Sequence, residues 1–144
     1  GDFNSHYEEH KTFLKSHKHN NTDGITGINH ILGTVNKEGN PITYTALKNT
    51  QGVRYNLWYE LDKEKRWSHQ FRGHGEGLDN IIISQALADG IGIDYIEGSF
   101  DRYTPDYLFA KGKVYRWQQS RRYPKHHLGE GYSDHLPIYA RFKL

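Results

Sequence analysis

Short apolar and aromatic segments separated by polar turns fill the chain from residue 42 onward. Segments of this kind, rich in β-branched and aromatic residues, predict strands. In the last of them Leu136, Ile138, Ala140 and Phe142 fall on one face, as alternate residues of a strand do. The apolar run at 78–84 suits a strand that is buried on both faces. The predicted strands are 42–47, 53–61, 66–73, 78–84, 93–100, 107–117 and 136–142.

The part of the chain before residue 42 shows a helical signal instead. Ser5 followed by Glu8 fits a capping box, which predicts a helix over about residues 6–17 with Phe13 and Leu14 facing inward. Residues 18–24 have the composition of a loop, and 25–35 leave open whether a second short helix forms. No repeat, low-complexity tract or linker divides the chain, so we expect a single α+β domain over residues 1–144, dominated by a mixed, largely antiparallel sheet with flanking helices.

Composition narrows the classes of function. Only 35% of the 144 residues are hydrophobic, but 14% are aromatic, and aromatic side chains bury enough area to offset scarce aliphatic ones. Cys is absent, which excludes disulfides, thiolate nucleophiles and Cys-ligated zinc. The formal net charge of +2 permits a polyanionic substrate without requiring one. No apolar run approaches the roughly 18 residues that a membrane-spanning helix needs.

Three short segments place ionisable side chains at the end of an apolar run. Asp2 and Asn4 precede the predicted helix, Asp79 opens one strand, and Asp134 and His135 open the last strand. If the strands share a sheet, their ends can converge, and carboxylates suit a hard cation such as Mg²⁺. A His held by an Asp can transfer a proton or stabilise charge, so the set suits metal-assisted phosphoester cleavage. Taken singly, each segment is equally compatible with an ordinary helix cap or turn, and their joint occurrence favours a site.

The same segments carry a family resemblance. "GDFNS", "GLDNIIIS" and "GYSDHLPIYARF" resemble three motifs of the endonuclease/exonuclease/phosphatase superfamily, whose fold is the DNase I-like four-layer α/β sandwich. The stretch "WYELDKEKRWSHQFRGHGEGLDNIIISQAL" further resembles the bacterial extracellular-nuclease branch. The resemblance runs from residue 1 to about 142, and it implies a divalent-metal phosphoesterase, most simply a nuclease, with nucleic acid as substrate.

The resemblance also implies a role for each matching residue. Asp2 would orient or deprotonate the attacking water and contact the metal, and Asn4 would bind the scissile phosphate. Asp79 would hold the ring of His135, which would stabilise the pentacovalent phosphate or transfer a proton. Asp134 would bind the metal, expected to be Mg²⁺, or Mn²⁺ or Ca²⁺ in its place. One departure is Asn80, because the family often has His or Tyr after the Asp.

The resemblance lacks the family's N-terminal motifs, including the Glu that is its main metal ligand. Because the chain starts within the site and has no Met, we expect residues 1–144 to be the C-terminal half of a larger enzyme. Alone, this half is expected to have little activity and to self-associate through an uncovered sheet face. The resemblance also implies a secreted or periplasmic parent protein.

Several alternatives stay open at this level. The parent could be a phosphatase or phospholipase of the same superfamily, or a binding module that keeps the fold without catalysis. His6 and His10 match a zinc-peptidase helix pattern, and the Gly-rich stretch 73–77 resembles a phosphate loop but fits a tight strand connection better. In the basic, aromatic stretch 115–127, Arg121 and Arg122 could bind nucleic-acid phosphates, or the stretch could be a solvated loop.

Overall fold

The computed structural model describes residues 1–144 as an α+β arrangement of short elements joined by well-defined turns. Its two α-helices are α1, Glu9–Thr12, and α2, Tyr44–Asn49. Its ten strands are β1 Tyr55–Asn56, β2 His69–Phe71, β3 His74–Glu76, β4 Ile82–Ile83, β5 Asp94–Tyr95, β6 Asp101–Arg102, β7 Phe109–Ala110, β8 Lys113–Val114, β9 Ile138–Tyr139 and β10 Phe142–Lys143. No helix is both long enough and apolar enough to cross a membrane.

The strands form five antiparallel pairs rather than one continuous sheet. The pairs are β1 with β4, β2 with β3, β5 with β10, β6 with β9, and β7 with β8. Two of them, β5–β10 and β6–β9, lay the segment 94–102 against the C-terminal segment 138–143. The small antiparallel sheets confirm the α+β class, while the expected parallel component of a mixed sheet is absent.

The prediction of a strand at 42–47 is wrong, because a local cap favours a helix there. The backbone N–H of Ala46 donates to the Thr43 hydroxyl at 3.1 Å, which satisfies one of the free donors at the start of α2. The strand predicted at 53–61 also stops early. The side chain of Asn56 accepts the N–H of Trp58 at 3.2 Å and begins a 3₁₀ turn over Leu57–Glu60.

The predicted N-terminal helix shortens to the single turn α1. Ser5 donates to the carboxylate of Glu9 instead of closing a capping box with Glu8, which pairs with Lys11. Leu14, expected to face inward, is 64% exposed. The ambiguous stretch 25–35 contains one π-helical turn over Gly27–Ile31.

The core is built around the side chain of Trp58, which is fully buried. Its ring meets that of Phe100 edge to face at 5.0 Å, a favourable aromatic geometry. Around this pair pack buried residues from the first two thirds of the chain: Tyr7, Ile42, Leu47, Tyr55, Leu57, Ile83, Ala88 and Tyr95. The many aromatic residues therefore supply core area, as the composition predicted. In the last strand region Leu136 is buried and Ile138 and Ala140 are half-buried, which confirms the predicted inward face, while Phe142 is 43% exposed.

The Gly-rich stretch 73–77 is a close packing segment, not a phosphate loop. Gly73 completes the tight turn between β2 and β3 with a φ of +85°, which favours Gly. A Cβ on Gly77 would lie 2.8 Å from the Tyr7 ring and 3.1 Å from the Trp58 indole nitrogen. Gly77 therefore lets the backbone that leads into Asp79 press directly against the core.

Candidate functional site

A hydrogen bond joins Asp79 and His135, which are 56 residues apart in the chain. The Nδ1 atom of His135 lies 2.7 Å from Oδ2 of Asp79. The side chain of His135 is only 24% exposed and that of Asp79 only 16%, so water competes weakly for the contact. The pair has the geometry that the sequence predicted for these two residues.

The backbone of Asp79 is fixed by the core. Its carbonyl oxygen accepts the indole N–H of Trp58 at 2.7 Å, and its own N–H donates to the hydroxyl of Ser68 at 3.2 Å. Both Trp58 and Ser68 are fully buried. The position of the Asp79 carboxylate thus depends on the best-packed part of the molecule.

The same Ser68 also holds the segment that carries His135. The N–H of Leu136 donates to the Ser68 carbonyl at 2.7 Å, and the neighbouring residues His69 and His135 form a backbone bridge. The N–H of His135 donates to the Ser133 hydroxyl at 3.0 Å. Ser68 therefore connects the two segments that bring Asp79 and His135 together.

Asp2 joins the pair through a short antiparallel bridge to Asp79. The N–H of Phe3 donates to the Leu78 carbonyl at 3.0 Å, and that of Asn80 donates to the Gly1 carbonyl at 2.8 Å. One potential ligand atom each from Asp2, Asp79 and His135 lies within 4.8 Å of the other two. These three residues are hereafter the Asp–Asp–His cluster.

Asn4 lies beside the cluster in a strained turn. Its backbone N–H donates to Oδ1 of Asp2 at 2.8 Å, and its φ of +50° is unusual for a residue other than Gly, although Asn tolerates it better than most. Asn4 itself is exposed. Asn4 is thus close to the cluster through its backbone, and its side chain is free to meet a ligand.

Asn80, the departure from the family pattern, has a structural role. It is 2% exposed, and its side-chain amide donates to the Leu78 carbonyl at 2.9 Å while its oxygen accepts from the Asn56 amide at 2.8 Å. These bonds tie the strand that follows Asp79 to β1. Asn80 therefore stabilises the backbone next to Asp79 and is not part of the cluster.

Asp134 does not belong to the Asp–Asp–His cluster. It lines a neighbouring cavity of about 280 Å³, together with side chains from two hairpins. Arg121 and Arg122 lie before Asp134 in the chain, in an exposed ribbon that folds back on itself over residues 115–132. Neither Arg lines that cavity. Of the predicted site residues, the structure brings Asp2, Asn4, Asp79 and His135 together.

His69 is a neighbour of the cluster that the sequence did not single out. Its ring centroid lies 4.7 Å from that of His135, and its Nδ1 is buried without a hydrogen-bond partner, 3.7 Å from the Glu76 carboxylate. Its only signal in the sequence is its place beside Ser68 in an aromatic strand. That signal does not distinguish His69 from an ordinary strand residue.

The zinc-peptidase pattern is not supported, because its two His residues serve other contacts. Helix α1 begins at Glu9, so His6 lies outside it. The N–H of Gly77 donates to Nδ1 of His6 at 3.1 Å, and burial lowers the pKa of His6, which keeps this acceptor unprotonated. His10 instead places its Nε2 2.9 Å from the Gly39 carbonyl.

The chemistry of the cluster follows from the tautomer that Asp79 selects. A carboxylate beside Nδ1 favours the proton on Nδ1, which leaves Nε2 of His135 as the ring atom available to a ligand. The Asp2 carboxylate keeps one oxygen beyond the bond from Asn4. The arrangement can therefore accept a proton, stabilise charge and offer hard oxygen ligands to a cation.

Comparison with known proteins identifies the family of the chain. The model of a family described as "Endonuclease/Exonuclease/phosphatase family" matches residues 31–143, a range that includes Asp79, Asp134 and His135. Neither a curated protein nor a solved structure matches the chain. Since the family model covers well over half of the residues, the chain belongs to the endonuclease/exonuclease/phosphatase family.

Proposed function

We propose that the chain carries part of the active site of a divalent-metal-dependent phosphoesterase, most specifically a nuclease that hydrolyses phosphodiester bonds. The observation that carries this proposal is the 2.7 Å bond between Asp79 and His135 beside the Asp2 carboxylate. Membership of the endonuclease/exonuclease/phosphatase family supports a hydrolytic phosphoesterase at the coarser level.

In this proposal each residue has one task in an in-line displacement. Asp2 orients a water molecule and accepts its proton while the water oxygen attacks phosphorus, the ester P–O bond breaks and the leaving oxygen takes a proton from solvent. Asn4 donates from its amide to a non-bridging phosphate oxygen. His135, with its ring held by Asp79 and both ring nitrogens protonated, donates from Nε2–H to the phosphate oxygen on which negative charge develops. Asp79 acts as a positioning residue through His135.

The donor set fits a hard divalent cation such as Mg²⁺, or Mn²⁺ or Ca²⁺ in its place. Asp2 has a free carboxylate oxygen that would hold the cation, and the carboxylate of Asp134, one residue before His135, would join it after turning from the neighbouring cavity that it lines. When bound, the cation would add positive charge at the phosphoryl oxygens and lower the pKa of a bound water. Asp79 also keeps one carboxylate oxygen beyond the bond to His135, but its proposed task is to hold that ring.

We also propose that residues 1–144 have little activity alone and that they form part of a DNase I-like sandwich, the C-terminal half of a larger enzyme. Two carboxylates leave most of the octahedral coordination of Mg²⁺ to water, and Mg²⁺ binds weakly where protein ligands are few. Further ligands from another part of the intact protein would raise the affinity for the cation and hence the rate.

Self-association is a related proposal. An open apolar cavity of about 480 Å³ lies beside the N-terminus and β4, lined by Phe3, Leu32, Ile81 and Ile82. Exposed apolar surface of this kind favours association. A second copy of the chain would cover it, and light scattering would then give a molar mass above that of the 16.8 kDa monomer.

A substrate panel tests the proposed reaction. The intact protein is incubated with DNA, RNA, inositol phosphates and phospholipids, in Mg²⁺ or Mn²⁺ and in parallel with a chelator. We expect cleavage of nucleic acid that the chelator abolishes. Turnover of inositol phosphates or phospholipids instead would assign the phosphatase or phospholipase alternative, and binding without turnover of any substrate would assign a non-catalytic module.

A further inference from the structure

The cavity beside Asp134 has three cationic residues among the eight that line it, and it lies outside the Asp–Asp–His cluster. This basic cavity, of about 280 Å³, is defined by Gln70, Phe71, Arg72, Lys113, Arg116 and Asp134. Its three cations face one carboxylate, so it has an excess of positive charge. None of the three cations belongs to any of the six ion pairs of the structure. Their charge is therefore available to an anionic ligand.

Both Arg residues of the basic cavity are backed by an aromatic ring. The Arg72 guanidinium lies 5.1 Å from the centroid of Phe71, and that of Arg116 lies 5.3 Å from Trp117. Such cation–π contacts restrict the side chains and leave their N–H groups free to bind. Phe71 is also 54% exposed, so its ring offers a face on which a base can stack.

Two tight hairpins bring the cations together. Arg72 and Gly73 both have positive φ in the turn between β2 and β3, and Lys113 begins β8 directly after the similar turn at Lys111 and Gly112. Turns of this kind favour Asn, Asp or Gly, so Arg72 occupies a position that disfavours it. The turn itself therefore does not explain why Arg occupies this position. A role for the Arg72 side chain in the cavity explains it.

The basic cavity adjoins the cluster along the backbone. Asp134 lines it and directly precedes His135, and Gln70 directly follows His69, whose backbone pairs with His135. Arg116 is held at the base of the ribbon, where Gly131 passes so closely that a Cβ on it would lie 2.1 Å from the Arg116 carbonyl. A chain of phosphates that reaches His135 can thus extend into the cavity.

We propose that the basic cavity is a second phosphate subsite, which binds the backbone of a single-stranded polynucleotide next to the phosphate held at the Asp–Asp–His cluster, an inference that rests on the proposed function. Arg72, Lys113 and Arg116 bind the neighbouring phosphate, and Phe71 stacks on the adjoining base. Bidentate N–H pairs of Arg suit phosphate oxygens, and base stacking is tolerant of sequence. The subsite therefore favours polymers over isolated phosphate esters.

The test measures binding without cleavage. A fluorescent single-stranded oligonucleotide is titrated with the intact protein in chelator over a range of salt concentrations, and R72Q/K113Q is compared with K18Q/K37Q. Lys18 and Lys37 are exposed and remote in sequence, so the control removes the same charge. About 0.7 counterions are released per phosphate contact, so loss of two contacts should reduce the magnitude of the slope of log K against log salt by about 1.4. The loss of affinity is then roughly 25-fold greater at 0.1 M salt than at 1 M salt.

The outcomes distinguish the proposed phosphate subsite from the proposed catalytic cluster. An unchanged salt slope in R72Q/K113Q, or an equal loss in the control, overturns the subsite. Tighter binding of an inositol polyphosphate or of phosphoinositide vesicles than of the oligonucleotide overturns the polynucleotide as its ligand. A small diester such as bis(p-nitrophenyl) phosphate separates the two proposals. Its metal-dependent hydrolysis by both variants would support the catalytic role of the cluster alone. Binding of the oligonucleotide without hydrolysis of the diester would support the phosphate subsite alone.

Discussion

Replacement of His135 by Ala in the intact protein is expected to lower kcat for phosphodiester hydrolysis by about 10²–10³-fold, with a smaller change in KM. The reason is that Nε2–H of His135, when both ring nitrogens carry a proton, donates to charge that develops mainly in the transition state, and loss of one such donor typically has an effect of this size. Asp79→Asn should lower kcat by about 10²-fold, because an amide does not enforce the Nδ1–H tautomer. The measurement is steady-state kinetics on a labelled oligonucleotide in saturating Mg²⁺.

The matched control for this prediction is His19→Ala. His19 lies in an exposed loop, so its removal tests whether loss of any imidazole affects the assay. We expect the control to keep the wild-type rate. A His135→Ala protein that is folded and retains its kcat within about threefold would remove His135 from the chemistry, and with it the role proposed for Asp79.

Replacement of Trp58 by Ala is expected to have the largest effect on folding. Truncation of a buried aromatic ring typically costs about 3–5 kcal/mol, a large part of the roughly 5–15 kcal/mol that stabilises a domain. Trp58 is fully buried against Phe100, and it also donates to the Asp79 carbonyl. The free energy of unfolding from urea titration, followed by far-ultraviolet circular dichroism, is the measurement.

Trp58→Phe separates packing from hydrogen bonding. Phe keeps most of the apolar volume but leaves the Asp79 carbonyl without the indole donor, at a cost of about 1–3 kcal/mol. We therefore expect Trp58→Phe to fold with intermediate stability and to reduce activity more than its stability loss alone would. An unfolding free energy for Trp58→Ala within about 1 kcal/mol of wild type would contradict the central place of Trp58 in the core.

The site could be predicted from the sequence better than the elements that carry it. Asp2, Asp79 and His135 come together as expected, because ionisable residues at strand ends form a pattern that survives changes in strand length. The strand at 42–47 was wrong because the Thr43 cap outweighs the β-propensity of its residues. The roles of Ser68 and Trp58 in fixing Asp79 depend on contacts across 11 and 21 residues, which no local pattern encodes.

The position of the Asp134 side chain could not be predicted from its motif. Its place beside His135 in the motif predicts a metal ligand, yet its side chain lines the basic cavity and is not among the three clustered ligand residues. Neighbours along an extended backbone point to opposite sides, so adjacency in sequence does not imply adjacency of side chains. The hairpins that surround Asp134 with cations depend on two turns whose pairing in space the sequence does not reveal.

Paramagnetic mapping with Mn²⁺ tests most directly whether the cluster is a metal-binding site. In NMR spectra of the isotopically labelled 144-residue chain, low amounts of Mn²⁺ broaden signals near the bound ion even where affinity is weak. We expect the signals of Asp2, Asp134 and His135 to broaden first and to recover with excess Mg²⁺. The signals of His17 and His19 should not change. Broadening centred on His17 and His19, or none at the cluster at millimolar Mn²⁺, would contradict this expectation.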